Sequence, residues 1–578
     1  MKFLLTAVNA KFIHSNPGLY SIQAYAGKAY AENFEIAEYT INQRVEQVLA
    51  DLYNRKPRVI GFSCYIWNWT FIQEILPEIP KILPDAQIWL GGPEVSFNSG
   101  EILEKFPCLT GIMIGEGEET CLEILQFYLG ERTGGLFDIK GIILPSGATG
   151  ARTLTDLSKM PFIYEDLNTF DNRIIYYESS RGCPFQCSYC LSSIDKSVRL
   201  RDIELVKQEL AFFLSEKVSQ VKFIDRTFNC NHTHCKEIWS YILEHDNGIT
   251  NFHFEIAADL LDEQELALLA QMRPGLVQLE IGVQTTNPNT LYEIKRYMDI
   301  VKLRYTVAQI QKSHNIHVHL DLIAGLPYEN YESFKKSFCD VYAMKPEQLQ
   351  LGFLKVLKGS YMHDMAEEYG IVYLDKTPYE VLSTRWLAYD EVLRLHKIEE
   401  MVEIYYNSNQ YAHILPILET MFADSFSFYE ALADYYEEKG YFYKVPARNY
   451  RYQVLLDFAM SIDKEHALLY KEALTYDIYL RENAKSRPSF AKNIMDKKQD
   501  FYQFFCDEDH VRGILPHYEE HDMKQISKMT HLDWFSYPVW DPTVSVQKKP
   551  LEQETMVLFD YKVRSSLTGD VSTYLVNI

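Results

Sequence analysis

Three cysteines stand at i, i+4 and i+7 in the run from Ser180 to Cys190, namely Cys183, Cys187 and Cys190. Thiolates are soft ligands that select iron–sulfur clusters or zinc. Three of them from so short a segment suit three corners of an iron–sulfur cube, leaving one iron open to a ligand that is not protein. Zinc normally takes a fourth protein ligand, and no cysteine or histidine follows closely. A disulfide with a spare thiol would suit a secreted chain better. The other seven cysteines (Cys64, Cys108, Cys121, Cys230, Cys235, Cys339 and Cys506) show no disulfide-framework spacing, which points to a reducing cytosol.

The 578 residues allow three or four domains, and 47% hydrophobic residues is ordinary for a globular protein. Met1–Val8 is apolar only briefly and reads as a first strand, not a signal peptide. No run of about 18 apolar residues is present, so no membrane span is expected. The formal charge of −23 argues against a polyanionic partner, which needs clustered Lys and Arg. The stretch from Arg481 to Lys498 is the nearest to such a cluster and reads as a solvated helix face.

From residue 1 to about 145, strand candidates 2–8, 34–39, Val59–Ser63, Gln87–Leu90 and Gly111–Ile114 alternate with helical patterns such as Leu19–Tyr30 and Phe71–Leu83. That alternation predicts a parallel sheet covered on both faces, with ligands beyond the carboxyl ends of its strands. The loops there include Asn9 to Gly18, Ser63 to Asn68, Gly91-Gly92-Pro93-Glu94 and Gly115 to Thr120. The last could be only a helix start with acids at its positive end. Taken in order, the set resembles a Rossmann-like cobalamin-binding domain. The resemblance implies that Ser63, Tyr65, Trp67, Gly91, Gly92, Pro93 and Glu94 contact the corrinoid and its dimethylbenzimidazole tail. Cobalamin domains that ligate cobalt from below carry an Asp two residues before the His, where this chain has Phe12. Without a carboxylate to orient its imidazole, His14 is expected not to bind cobalt. The lower face is then left to water, Tyr65 or Trp67.

Residues 146–172 read as a linker, broken by turns at Leu144–Gly150. From 173 to 360, strand-like runs at Ile174–Glu178, Gln220–Asp225, Asn251–Ala257, Leu276–Gly282, His317–Ile323 and Gln348–Phe353 alternate with helices. Repeats of this kind predict a barrel-like sheet with its site at the strands' carboxyl ends. The C-x3-C-x2-C spacing, with Tyr189 before its last cysteine, is similar to the signature of radical S-adenosylmethionine (SAM) enzymes, which resemble a partial (β/α)6 TIM-type barrel. The resemblance implies that Cys183, Cys187 and Cys190 hold a 4Fe–4S cluster. It also implies SAM contacts from Tyr189, Glu255, Gln284, Thr285, Arg296 and Asp321. The family's usual Gly-Gly-Glu after the second strand is replaced by Asp225-Arg226-Thr227.

Cys230, His232, His234 and Cys235 are too closely spaced for a usual zinc loop and start a helix, so their side chains are expected to diverge. Residues 361–578 read as a mainly helical domain ending in a β-hairpin over 556–563 and 572–576. The expected fold class is therefore α/β: a cobalamin-binding domain, a radical SAM barrel and a helical carboxy-terminal domain.

The whole stretch 1–360 resembles the cobalamin-dependent radical SAM family. That resemblance implies a cytoplasmic enzyme using a 4Fe–4S cluster, SAM and cobalamin to methylate an unactivated carbon or a phosphorus. It further implies a small-molecule or peptide substrate and an electron donor such as flavodoxin or ferredoxin. A cobalamin-using rearrangement or cyclisation, a tRNA-modifying enzyme and a non-catalytic cobalamin or redox sensor are the alternatives.

Overall fold

Seven buried residues in a row make up the first strand, β1 (Phe3–Asn9), and their side chains divide by parity between two cores. Leu4 and Val8 face one core with Val48, Leu52 and Ile72; Phe3, Leu5 and Ala7 face the other with Leu19, Ile124 and Leu125. A strand covered on both faces is the signature of a parallel sheet between helical layers. The computed structural model describes residues 1–576. In it, β1 pairs in parallel with β2 (Phe34–Thr40) and β3 (Val59–Ser63), and β4 (Gln87–Gly91) and β5 (Leu109–Met113) extend the sheet. Two short antiparallel strands, β6 (Ile142–Leu144) and β7 (Gly147–Ala148), complete the order β2-β1-β3-β4-β5-β6-β7. The helix expected over Phe71–Leu83 is two helices, Trp69–Ile75 and Ile79–Ile82. Pro77 lies between them, and a proline inside a helix removes a donor and clashes with the preceding turn.

The second half of the same compact unit begins at β8 (Ile175–Tyr177). A small antiparallel pair, β9 (Ser180–Arg181) and β10 (Arg199–Leu200), then brackets the cysteine loop. β11 (Gln220–Phe223), β12 (Asn251–Ile256) and β13 (Val277–Gln284) pair in parallel in the order β8-β11-β12-β13. Helices Ile203–Ser215, His232–Glu244 and Glu263–Gln271 connect or follow them, opened by caps from Asp202, Asn231 and Asp262. Two further β/α repeats supply β14 (His317–Ala324) and β15 (Gln348–Phe353). The short pair β16 (Val372–Tyr373) and β17 (Val381–Ser383) belongs to the first unit, which includes Gly352–Tyr389.

The second unit comprises His317–Leu322, Glu332–Leu351 and the chain from Asp390 on. Its Ala467–Arg481 helix is buried around most of its circumference. The buried acids on that helix are matched: Asp477 accepts from His413 and the backbone N–H groups of His413 and Ile414, and Glu472 from the N–H groups of Ser536 and Tyr537. β19 (Thr555–Arg564) and β20 (Val571–Val576) pair antiparallel, and β18 (Thr530–Phe535), absent from the sequence reading, joins them. Asp533 interrupts the apolar pattern of β18, yet it is fully buried because Arg487 pairs with both of its oxygens.

The stretch Arg481–Lys498 is not one helix face. Arg481 pairs with Asp570, Arg487 with Asp533, and Lys492 with Glu472 and Glu554. Four of its cations, with Lys497 on Glu554, are thus paired to acids of the same unit. Among the described residues no helix is long and apolar enough to cross a membrane.

Candidate functional site

The cysteine loop leaves β8 through Glu178-Ser179-Ser180 and is anchored there by Asp225, at the end of β11. Asp225 accepts hydrogen bonds from Ser179 N (3.0 Å), Ser179 Oγ (2.7 Å) and Ser180 Oγ (2.5 Å). Burial pushes its carboxyl up to about 6, against the opposing pull of those donors. The residue that the sequence reading treated as a gap in the family pattern is therefore the loop's tether. Gly182 has φ +99°, and a Cβ there would lie 1.9 Å from the carbonyl oxygen of Ser197, so no other residue fits.

Cys183 and Cys187 are buried and Cys190 is partly so; all three are free thiols. Burial raises the Cys183 thiol, whose sulfur lies 3.7 Å from Thr227 Oγ1. The three Sγ atoms do not gather within 4.8 Å of one another. Thiolates sharing one zinc at about 2.3 Å would stand closer, roughly 4 Å apart.

Beside the thiols, Arg296, beyond the helix that follows β13, donates from Nη1 to Cys187 Sγ (3.6 Å) and Tyr189 Oη (3.4 Å), and from Nη2 to the Gly282 carbonyl. Gln284 adopts φ +72°, a left-handed conformation rare outside glycine. A Cβ at Gly282 would lie 2.3 Å from Gln284 Nε2, so the glycine makes room for that amide. Gln284 Oε1 and Arg296 Nε are buried and without a partner among the described residues. Orphaned polar atoms in a strained segment mark a place where a polar ligand would complete the hydrogen bonding.

The other residues expected to contact SAM are Thr285, Glu255 and Asp321. Thr285 is buried, donating to Glu329 Oε1 (2.6 Å) and accepting from Asn287 N (3.0 Å), bonds that shape its own loop. Glu255, on β12, lines the large cavity described next. Asp321, on β14, pairs with His319 at 3.0 Å.

That cavity has a volume of about 880 Å³. Its walls come from the loops after β1, β3 and β5, from 151–164, and from the ends of β8, β11 and β12. Tyr65 and Trp67 stack at 4.3 Å and 11° on one side of it. Ser63, Gly91, Gly92, Pro93 and Glu94 do not line it. Ser63 Oγ accepts from Asn16 Nδ2 (3.0 Å). Gly92 has φ +105°, and a Cβ there would meet the Cys64 carbonyl at 2.5 Å, whereas one at Gly91 would make only ordinary contact with Met113. Pro93 starts a single helical turn. Glu94 is buried and accepts a short hydrogen bond from Tyr379; burial raises its carboxyl.

His14 also lines the cavity, with Nδ1 2.6 Å from Tyr176 Oη. Burial, then Lys11, lowers its affinity for a proton.

Arg181 was not singled out from sequence. It sits between β8 and the cysteines and pairs with Glu178 (2.8 Å), Glu118 (3.1 Å) and Glu116 (3.2 Å). Glu116 also pairs with Arg199 and accepts from Thr155 N (2.7 Å). Burial opposes ionisation of Glu116, but Arg199, Thr155 and Arg181 hold its carboxyl down at about 2. The acids of Gly115–Thr120 are thus more than a helix start: they fasten the first sheet's loop to the cysteine loop. The sequence signal was an arginine beside Cys183 and an acidic loop more than 60 residues away, which no local motif connects.

Cys230, His232, His234 and Cys235 diverge as their spacing predicts. His232 faces Glu265 (3.0 Å), His234 faces Ser179 Oγ (3.3 Å), and Cys235 is buried.

Three family models match the chain: "B12 binding domain" over residues 4–125, "Radical SAM superfamily" over 177–340, and "Protein of unknown function (DUF4080)" over 367–559. The cobalamin-dependent radical SAM methyltransferase TokK of Streptomyces tokunonensis is 23% identical over 56% of this chain and 51% of its own. The anaerobic magnesium-protoporphyrin IX monomethyl ester cyclase of Cereibacter sphaeroides is 21% identical over 54% of this chain and 53% of its own. The chain thus spans about half the length of these curated relatives. The solved structure of the cobalamin-dependent SAM radical enzyme OxsB, with aqua-cobalamin and SAM bound, superimposes with a TM-score of 0.55. It shares 16% identity and covers 90% of this chain and 81% of that one, a likeness of fold. The chain joins a B12-binding domain to a radical SAM domain, followed by a mainly helical region.

Proposed function

We propose that this chain is a cobalamin-dependent radical SAM methyltransferase acting on an unactivated carbon or phosphorus centre of a small-molecule or peptide substrate. The observation that carries the reading is the shared cavity, walled by loops of the B12-binding sheet and strand ends of the radical SAM sheet beside Gly182-Cys183. When bound, the cluster and SAM would supply a hydrogen-abstracting carbon radical, and the corrinoid a transferable methyl group.

Cys183, Cys187 and Cys190 would hold the cluster. Arg296 and Gln284 would meet the carboxylate and hydroxyls of SAM; a planar fork suits a carboxylate. Tyr189, Glu255, Thr285 and Asp321 complete that proposed set. Tyr65 and Trp67 would face the corrinoid. Ser63, Gly91, Gly92 and Pro93 would act through the shape of their loops, and Glu94 through its hold on Tyr379. The chain's own work is to place these groups, balance their charge and exclude water behind Phe162, Ile163 and Tyr164.

Anaerobic purification with hydroxocobalamin supplied, followed by iron, corrin and SAM-product analysis, tests the proposal. It expects 5′-deoxyadenosine together with S-adenosylhomocysteine. Iron-free protein would end the reading, and iron-loaded protein without corrin would end its cobalamin half. The cyclase relative motivates a second reading, a ring closure without methyl transfer, which would yield 5′-deoxyadenosine without S-adenosylhomocysteine. A cytoplasmic setting, with a flavodoxin- or ferredoxin-like electron donor, belongs to the same proposal.

A further inference from the structure

The chain carries a formal charge of −23, yet one stretch runs against that sign. From Tyr292 to Lys312 five Lys and Arg stand against two acids, Glu293 and Asp299. Both acids are already engaged. Glu293 accepts from Tyr369, and Asp299 caps the helix Ile300–Gln311 through the N–H groups of Val301 (2.9 Å) and Lys302 (3.0 Å). Lys302 is exposed, and Lys295 lies 3.3 Å over the ring of Tyr361.

Exposed apolar side chains stand among these cations. Tyr292 is 75%, Tyr297 74% and Val301 79% exposed, and Tyr305, one turn on from Val301, is half exposed. Single exposed apolar residues are ordinary, but four within fourteen residues, mixed with Lys and Arg, have the composition of an interaction surface. Behind the same segment lies the cysteine loop. Ser188 donates from its N–H to the Ile294 carbonyl (2.9 Å) and accepts at its own carbonyl from Met362 N (2.9 Å). Tyr189 packs against Ile294 and Met362, and Arg296 reaches Cys187 Sγ at 3.6 Å. Lys295 and Tyr297, the neighbours of Arg296, therefore put solvent-facing side chains one segment away from the thiols.

We propose that this surface docks a small acidic flavoprotein of the flavodoxin type, which delivers the electron that the cluster requires. The proposal rests on the reading that Cys183, Cys187 and Cys190 hold a cluster. A local excess of cations lets an acidic partner approach a chain that otherwise repels it, and sets where it lands. The exposed tyrosines offer ring faces to the apolar edge of a flavin. A small, weakly held interface suits a carrier that must leave after each delivery. In the transfer the carrier's anionic reduced flavin gives up one electron and becomes the neutral radical. The cluster gains that electron, and no bond breaks and no proton moves.

The test compares the full chain, purified anaerobically, with K295E/K302E and with K28E/K140E, which makes the same change of charge on the B12-binding domain. Titration calorimetry with oxidised flavodoxin measures docking directly. Formation of 5′-deoxyadenosine is then followed with dithionite and with reduced flavodoxin. The expected result is binding that weakens with added salt and falls about 10-fold or more in K295E/K302E, with a matching rise in the KM for flavodoxin. Iron content and the dithionite-driven rate should equal those of the wild type, which shows the variant to be folded, and K28E/K140E should bind as the wild type does. Carbodiimide coupling of the complex should join Lys295 or Lys302 to an acid of the carrier.

Equal flavodoxin binding by K295E/K302E and wild type, an equal loss in K28E/K140E, or coupling only through other lysines would overturn the proposal. So would a ferredoxin that binds this surface where flavodoxin does not. A wild-type dimer that K295E/K302E converts to monomer would mean that a second copy of the chain covers the surface, and overturns it too. Each of these leaves the dithionite-driven reaction intact, whereas protein that forms no 5′-deoxyadenosine with dithionite overturns the proposed function itself.

Discussion

The guanidinium of Arg296 lies 3.6 Å from the sulfur of Cys187, held in place by the Gly282 carbonyl. One cation thus touches both a thiol of the cysteine loop and the strand whose Gln284 adopts a left-handed conformation. A donor to a cluster sulfur tunes its potential, and the unpartnered Nε of the same group remains for a ligand.

Replacing Arg296 by Lys should leave the iron content near wild type and weaken SAM binding by about 10- to 100-fold, the worth of one lost charge-assisted contact. Equilibrium binding of SAM and the change it induces in the cluster's spectrum measure this. An R296K protein with full SAM affinity would remove Arg296 from the site.

Gly182→Ala should be far more damaging than an alanine at a neighbouring loop position. The positive φ and the 1.9 Å approach to Ser197 O force the loop to move. A loss of about 3 kcal/mol or more is expected locally, read as sub-stoichiometric iron in a chain with native circular dichroism.

Asp225 predicts a particular pH dependence. Its folded-state carboxyl, at about 6, is raised above the ordinary 3.8, so the folded state binds this proton more tightly. The associated stability is present below about 3.8 and is lost as pH rises through about 6. It amounts to about 3 kcal/mol. Asp225→Asn should flatten that part of the stability profile between these limits, at a constant cost from the lost acceptor for Ser179 N–H. An unchanged slope in thermal melts across this range would assign the raised value elsewhere.

Tyr379→Phe removes the donor to buried Glu94. A buried acceptor left unpaired costs about 1–3 kcal/mol, so the unfolding midpoint should fall by a few degrees. The double substitution with Glu94→Gln should recover part of it, as groups in direct contact do not behave additively.

The strands were legible because both sheets are built from short apolar runs separated by helical spacing. Gln284 stands at the end of β13 as its place in the pattern predicts, whereas Arg296 follows the next helix. What the sequence hid were contacts between distant segments: Tyr176 on His14, Arg181 on Glu116 and Glu118, Tyr379 on Glu94. No periodicity or spacing rule connects residues 63 to 285 positions apart. β18 was missed for a related reason, since the buried Asp533 reads as polar until Arg487 is placed beside it.

The carboxylates around Arg181 come from two separately recognisable modules, Glu116 and Glu118 from one and Glu178 from the other. A chimera that kept this barrel but borrowed a foreign corrinoid module lacking those acids would strand a cation next to the cysteine loop. The two halves therefore constrain each other's exchange: a workable transplant must carry the acidic loop along with the fold that presents it.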